Sequence, residues 1–390
     1  MKRSKLTRIA AVALVCALLL ASLSSCASWD NFYNAFIKKE EAPVKTVRIA
    51  VFEPLTGNDA DEAEAEVEGI KLANALYPFA GGSKVELVYY DNKSDTESAA
   101  LTAAEIVRDE TISMVIGTYG NMLTIASADI FAEAGIPTIN ATSTNPIISN
   151  TTSAVCAAAI DAFPARAAAE FAVNVLGQKD LVAMYSSAEE LSKIQAQEFS
   201  RYCEQTYKIT DVPVIAVNEG SDLYFIIKAV EDSGASTVYM PAGTSISEAV
   251  MAKAEETGLK LIWIGGGAWK DIGVSDVYYT ADYDPFSDIT EMNKTFSSAY
   301  KQKYGASIPT EKTALGFDAY LLALEALKTA EDPDSSESIG AALMAIDGLE
   351  GATGYITISL NGSPVKSVRI YRNTSEEPEL EFTAFDKAPA

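Results

Sequence analysis

Short apolar runs alternate along this chain with stretches in which apolar residues recur every three or four positions. Val47–Phe52, Val85–Tyr90, Ser113–Gly117 and Ile136–Asn140 are rich in β-branched residues, end in Gly, Pro or Asn, and read as strands. Between them, Ala63–Leu76, Glu97–Glu110 and Met122–Ala134 carry helical spacing. The pattern then repeats. Leu181–Tyr185, Val214–Val217, Thr237–Met240 and Leu261–Ile264 read as strands, with Glu189–Tyr207, Leu223–Asp232 and Ser247–Glu256 as helices. Two such βαβ series predict an α/β protein with two doubly wound parallel sheets, each about the size of one domain.

The C-terminal part breaks the alternation. Ile289–Tyr304, Lys312–Thr329 and Ser338–Ile346 look helical, while Gly354–Leu360 and Val365–Tyr371 predict a hairpin around Asn361-Gly362. This segment follows both series and is expected to pack back on them, giving discontinuous lobes joined by several crossing strands. The expected N-terminal lobe is 46–159 plus 286–350, the C-terminal lobe 160–285 plus 351–375, and 376–390 a tail. In open α/β sheets ligands bind beyond the carboxyl ends of the strands, so two facing lobes would share one cleft.

The first residues follow a different rule. Lys2, Arg3, Lys5 and Arg8 precede an apolar run from Ile9 to Ala21, short for a bilayer-spanning helix and right for a signal peptide. Leu23-Ser24-Ser25-Cys26 resembles the bacterial lipobox, which places a diacylglycerol on the Cys26 thiol. The alternative is a plain secretory signal with an incidental cysteine. Lipidation would remove 1–25, leave 26–45 as a tether, and hold the protein extracytoplasmic on the cell membrane by lipid. Removing 1–25 takes away four positive charges and no acids, so the net charge moves from −24 to −28 over 365 residues. Such an acidic surface argues against nucleic acid or anionic lipid as partners.

Absent residues prune the chemistry. With no histidine in the chain, His-based triads, Cys–His pairs and His-containing metal sites are impossible. Besides Cys26, the processed chain holds Cys156 and Cys203, with no CxxC. An oxidising compartment permits a bond between them, and two buried thiols are the other possibility. No GxSxG, Walker A or dinucleotide glycine motif is present, which argues against an enzyme; no cofactor and no metal are expected.

Several segments, in order and spacing, resemble the leucine/isoleucine/valine-binding protein family, the type I extracytoplasmic solute-binding proteins of ABC importers. They are Glu53-Pro54-Leu55-Thr56-Gly57 with Glu68-Gly69-Ile70-Lys71-Leu72-Ala73, then Val88-Tyr89-Tyr90-Asp91-Asn92, Val115-Ile116-Gly117-Thr118 and Gly135-Ile136-Pro137-Thr138-Ile139. Thr144-Asn145-Pro146, Asp161-Ala162-Phe163, Gly316-Phe317-Asp318-Ala319-Tyr320, Ala352-Thr353-Gly354 and Asn361-Gly362-Ser363-Pro364-Val365 continue the likeness, over roughly 46–372. It implies a type I periplasmic-binding-protein fold, two lobes joined by a multi-strand hinge.

The resemblance also implies an α-amino acid in the cleft, with its carboxylate on the N-terminal lobe. Gly120-Asn121 ends a strand and opens a helix, so N–H groups and a positive dipole end face the cleft. Thr142 and Thr144 occupy the next family loop. The family usually has serine where this chain has Asn121, and an amide can donate the same bond. The plainer reading makes Asn121 a helix cap and Thr144 part of a turn before Pro146. On the amino-group side the chain departs from the family: Gly267 aligns with the acid that holds the ligand ammonium, Leu191 with one tyrosine and Glu62 with another. Asp161 matches a family acid, which leaves Glu62, Asp161 or Asp271 to hold a cation. Glu62 lies in a run of six acids between Asp59 and Glu68, for which a solvated first helical turn is the plainer account. Trp269, after three glycines, and Tyr119 are candidate walls, or core residues of their own lobes.

These readings converge on a non-catalytic, lipid-anchored receptor that delivers an amino acid or related small polar solute to an ABC permease. The competing reading is a sensory or scaffold lipoprotein that kept the fold without transport.

Overall fold

The computed structural model describes residues 45–144, 154–158, 162–281, 283–285, 290–305 and 308–385. The expected signal peptide, the tether up to residue 44, Cys26 and Asp161 lie outside them.

Strand β1 (Thr46–Glu53) organises the first lobe because it is apolar on both faces. Val47, Ile49 and Val51 enter one core, and Ala50 and Phe52 enter another across the sheet. After it come α1 (Ala60–Leu76), β2 (Phe79–Ala80), β3 (Ser83–Asp91), α2 (Thr96–Arg108), β4 (Ile112–Ile116), α3 (Asn121–Ala134), β5 (Thr138–Asn140) and β6 (Ala154–Cys156). The sheet runs β2-β3-β1-β4-β5-β6, parallel throughout except for the short edge strand β2.

The second lobe repeats the plan with α4 (Phe163–Glu170), β7 (Leu181–Ser186), α5 (Glu190–Tyr207), β8 (Val214–Val217), α6 (Leu223–Asp232), β9 (Thr237–Met240), α7 (Thr244–Glu256), β10 (Ile262–Gly265) and β11 (Val277–Ala281). Strand β7 alternates as β1 does, with Val182 and Met184 in one core and Leu181 and Ala183 in the other. A π-turn at Phe171–Val175 ends α4, and a 3₁₀ turn at Gly267–Asp271 follows β10.

The chain then returns through α8 (Glu291–Tyr304), α9 (Glu311–Thr329) and α10 (Ser336–Met344), which pack on the first lobe. The threonine hydroxyls of Thr290 and Thr310 cap α8 and α9. Helices α1 and α9 touch backbone to backbone. A Cβ added at Gly69 would land on the Thr313 carbonyl oxygen, and one at Gly316 on that of Glu66.

The last elements are β12 (Leu349–Gly351), β13 (Gly354–Ile358), β14 (Pro364–Val365), β15 (Ser367–Asn373) and β16 (Glu379–Phe385). Here the fold departs from expectation in three ways. The expected hairpin is only two pairs long, Thr357 with Val365 and Ile358 with Pro364, because the chain leaves it at Lys366. Ala352, Ile356 and Ile358 bury in the first lobe's core, so the change of lobe expected at 351 falls at 366. Beyond it, β15 pairs antiparallel with β11, and β16, expected as a tail, adds an edge strand to β15. The second sheet is therefore mixed, in the order β16-β15-β11-β10-β9-β7-β8.

Lys366 marks this crossing. Its buried ammonium donates to the Ala157 carbonyl oxygen at 2.8 Å and to the Thr353 hydroxyl. Thr353 in turn donates, with the backbone N–H groups of Ala352 and Thr353, to the buried carboxylate of Asp318 on α9. Cys156 on β6 and Cys203 in α5 are both buried, one in each lobe, and no disulfide joins them.

Gly316→Ala is expected to cost about 2–3 kcal/mol, as overpacking of a tight backbone contact does. A urea midpoint that falls at unchanged slope is the expected result; an unaltered midpoint would mean that α1 and α9 can separate freely.

Candidate functional site

The carboxyl ends of both sheets face one cavity of about 470 Å³. Its first-lobe wall comes from the loops after β4 and β5 and from the first turn of α9, and its second-lobe wall from the loops after β7, β9 and β10.

The loop after β4 is shaped by Gly117, with φ 124°, whose added Cβ would strike the Phe52 carbonyl and the Glu53 carboxylate. Gly120 then opens α3, and no side chain caps its first turn. That end of a fourteen-residue helix carries a positive dipole into the cavity. The Asn121 side chain faces the loop after β5. Its Oδ1 accepts from the Thr144 N–H at 3.0 Å and the Ser143 hydroxyl at 2.8 Å, and its Nδ2 approaches the Thr144 hydroxyl at 3.4 Å. Asn121 thus ties two cavity loops together, an arrangement that places Gly120, Thr142 and Thr144 side by side on the wall.

Beneath this wall lies a pair of buried acids. The Glu53 carboxylate accepts from the Tyr119 N–H at 2.7 Å, and Glu66 on α1 accepts from the Thr142 hydroxyl at 2.8 Å. Thr142 also receives the Gly120 N–H at 3.4 Å. The Oε1 atoms of Glu53 and Glu66 are both buried with no hydrogen bond to any group of fixed proton position, and the two side chains interact with each other. A single proton between them satisfies both, since two adjacent buried carboxylates cannot both ionise. Burial, then the neighbouring charge of Glu66, raises Glu53 well above the usual carboxylate range; burial also raises Glu66.

On α9, Lys312 is fully engaged. It pairs with the Glu62 carboxylate, donates to the Tyr119 hydroxyl at 3.1 Å and sits 5.0 Å from the centre of that ring. Burial opposes its charge, but the bonds to Glu62 and Tyr119 outweigh it and raise its pKa. Glu311, one residue earlier, lines the cavity, where water reaches it between the two lobes. Crowding by protein on both sides raises its pKa against the opposing fields of Lys366, Lys270 and Lys312. Glu311 has no hydrogen-bond or ion-pair partner among the described residues.

Across the cavity, Glu189 accepts from the Gly243 N–H at 3.2 Å and is held at the start of α7. Leu191, Ser192, Gln195, Pro241, Gly266, Gly267 and Thr280 complete the second-lobe wall.

Of the residues singled out in the sequence, Tyr119, Asn121, Thr142, Thr144 and Leu191 are thus gathered at or behind the cavity wall. Glu62 is not among the cavity-lining residues and is committed to Lys312, and Asp161 falls outside the described residues. Trp269 is not a wall. Its indole is fully buried in the second lobe, packs on Gly265 and donates to the Ala242 carbonyl at 3.0 Å. The first of the three glycines therefore makes room for this ring, and Gly266 and Gly267 reach the cavity instead. Glu311, Lys312, Glu189 and the Glu53–Glu66 pair were not singled out for the site. One was legible: Glu66 falls with Ala63, Val67 and Ile70 at helical spacing, on the apolar stripe of an otherwise acidic run.

Two doubly wound lobes, three chain crossings and a cavity at facing strand ends define a type I periplasmic-binding-protein fold. The chain belongs to the periplasmic binding protein family, whose profile matches residues 46–377. A stretch of 103 residues is 32% identical to a Leu/Ile/Val-binding protein homologue of Brucella abortus, covering 26% of this chain and 28% of that relative, so the alignment spans little more than a quarter of the relative's length. The crystal structure of a leucine-binding protein from Thermotoga maritima matches with a TM-score of 0.67 and 26% identity, over 86% of this chain and 98% of that one. The substrate-binding protein of a Streptococcus pneumoniae branched-chain amino acid transporter, solved with isoleucine, matches at 0.65 and 21% identity, over 88% and 99% of the two chains; this likeness is one of fold. No helix among the described residues is long and apolar enough to cross a membrane.

The acid pair makes stability fall with rising pH. Because the folded-state pKa values lie above the ordinary value, the folded state holds more protons, and its advantage is present below about pH 4.5 and lost on going upward. In Glu53→Gln an amide replaces the shared proton without a titration. Its stability relative to the unaltered protein is expected to grow by up to about 1.4 kcal/mol per pH unit between about pH 4.5 and the pair's raised folded-state pKa, and to level off above it. Denaturant unfolding at several values from pH 5 to 8 reads this difference; a gap that does not vary with pH would exclude a shared proton.

Proposed function

We propose that this protein is the lipid-anchored, extracytoplasmic receptor of an ABC importer, and that it binds an amino acid or related small polar solute between its lobes. The observation that carries this reading is the uncapped start of α3 beside Thr142 and Thr144, facing a polar second lobe across a cavity of about 470 Å³. A solute carboxylate there would meet backbone N–H groups, a hydroxyl and a helix dipole together. Micromolar affinity requires about −8 kcal/mol, within reach of a few charge-assisted bonds with apolar burial against Leu191, Leu315 and Pro164. Hinge closure would present both lobes as one surface, so a permease could read occupancy as shape. The isoleucine held by the pneumococcal protein of like fold agrees with this solute class.

A thermal-shift screen tests it. Protein unfolded and refolded to strip carried-over solute is expected to gain several degrees with one class among amino acids, their amides, polyamines, short peptides and purines. Asn121→Ala and Thr144→Val should abolish that gain while the solute-free protein still melts cooperatively. A folded sample that no compound stabilises would turn the reading toward a sensory or scaffold lipoprotein, for which the glycine at 267 in place of the family acid is the favouring feature.

Anchoring has its own test. Expressed in a bacterium with lipoprotein processing, the protein should fractionate with membranes, and Cys26→Ser should move most of it to the soluble exported fraction. Equal partition of the two would remove Cys26 as the anchor.

A further inference from the structure

We infer that Glu311 is the group that recognises the cationic end of the solute, so that both charged ends of a zwitterion are held by the first lobe. This rests on the solute-receptor reading above and adds to it a specificity-determining residue on α9.

The other acids near the cavity are committed. Glu62 is paired with Lys312, Glu189 is fixed by the Gly243 N–H, and Glu53 and Glu66 lie beneath the wall. Asp271 closes the 3₁₀ turn behind the buried Trp269 and is not among the cavity-lining residues. Glu311 alone of the described acids lines the cavity without a hydrogen-bond or ion-pair partner. Two of its cationic neighbours face elsewhere, Lys312 to Glu62 and Tyr119 and Lys366 to Ala157 and Thr353, while the third, Lys270, acts on it from the 3₁₀ turn of the second lobe. The place of Glu311 is fixed from two directions. The Thr310 cap sets the first turn of α9, and the bond from Lys312 to Tyr119 sets that turn against the loop that opens α3. Glu311 and the start of α3 at Gly120 line the same cavity from the first lobe, a negative group and a positive helix end on one wall. An ammonium on the same carbon as a carboxylate, or a short step from it, fits that pairing. The second lobe faces it with the uncharged Ser192, Gln195 and Thr280, and its one lining acid, Glu189, is already held by the Gly243 N–H.

A helix-stabilising role is the plainer account of an acid at the first position of a helix, and the test separates the two. The full chain, purified in detergent and stripped of solute, is titrated calorimetrically with the proteinogenic L-amino acids. The tightest is then compared with its α-hydroxy acid, which keeps the carboxylate and side chain and lacks the ammonium. The amino acid is expected to bind about 100-fold more tightly than the hydroxy acid. In Glu311→Gln the amino acid should weaken by about 30- to 100-fold, with the hydroxy acid within about twofold of its original affinity and the melting temperature of the solute-free protein unchanged. Unchanged amino acid affinity in Glu311→Gln would overturn the inference, as would an equal loss for both compounds, which marks a change of shape. If neither amino acids nor hydroxy acids bind the unaltered protein, the receptor reading itself falls and this inference with it.

Discussion

The buried ammonium of Lys366 is the constraint on which the two-lobed arrangement turns. A lysine inside a protein is tolerated only where its charge and donors are met. Here they are met by the Ala157 carbonyl, just beyond β6, and by Thr353 between β12 and β13. Asp318 supplies the negative charge one step further, through Thr353. Burial raises the Asp318 carboxyl, and Lys366 is the largest influence holding it down. One chain crossing is thereby pinned to the end of another and to the long helix α9. Any motion of the second lobe would leave this knot in place, because breaking it would strand a charge in the interior.

The same helix connects the hinge to the cavity. Asp318 lies two turns beyond Glu311 and Lys312 on α9, and α9 lies against α1 through the glycine contacts at 69 and 316. Glu66 hangs from α1 under Thr142, and Glu53 from β1 under Tyr119. The cavity's first-lobe wall therefore rests on polar contacts joined by the close backbone packing of α9 on α1, from the hinge to the loops after β4 and β5. Each is buried or half-buried, so water competes little with it and its geometry is fixed before any solute arrives.

Much of this was legible in the sequence, and the reasons are physical. Strands apolar on both faces and helices with one apolar stripe gave the βαβ alternation, since burial imposes those periods directly. Gly120-Asn121 was legible because a glycine before a helix at a strand end has few other uses. The expected hairpin is cut short because Val365–Tyr371 reads as one strand in the sequence, whereas Lys366 divides it between two sheets; no local pattern tells a buried lysine from a solvated one. Trp269 stays ambiguous in the sequence, wall or core, for a similar reason. Three glycines in a row announce a close approach without saying whether the visitor is a solute or an indole from the same lobe. Glu311 was hidden among ordinary first-turn acids, and only the meeting of α9 with the α3 loop, distant in sequence, distinguishes it.

Charge recognition by one lobe has a consequence for closure. A lobe that brings a charge of its own to the solute must strip water from that charge as it closes, and the attraction gained is partly lost to desolvation. A second lobe that offers Ser192, Gln195, Thr280 and the backbone of Gly266 and Gly267, with Glu189 already on the Gly243 N–H, would have less to strip, and its contribution would depend on fit. On the proposed reading a zwitterion would be neutralised while the cleft is open, and closing over it would add hydrogen bonds and apolar contacts that vary with the side chain. Affinity for the class and selection within it would then come from different walls.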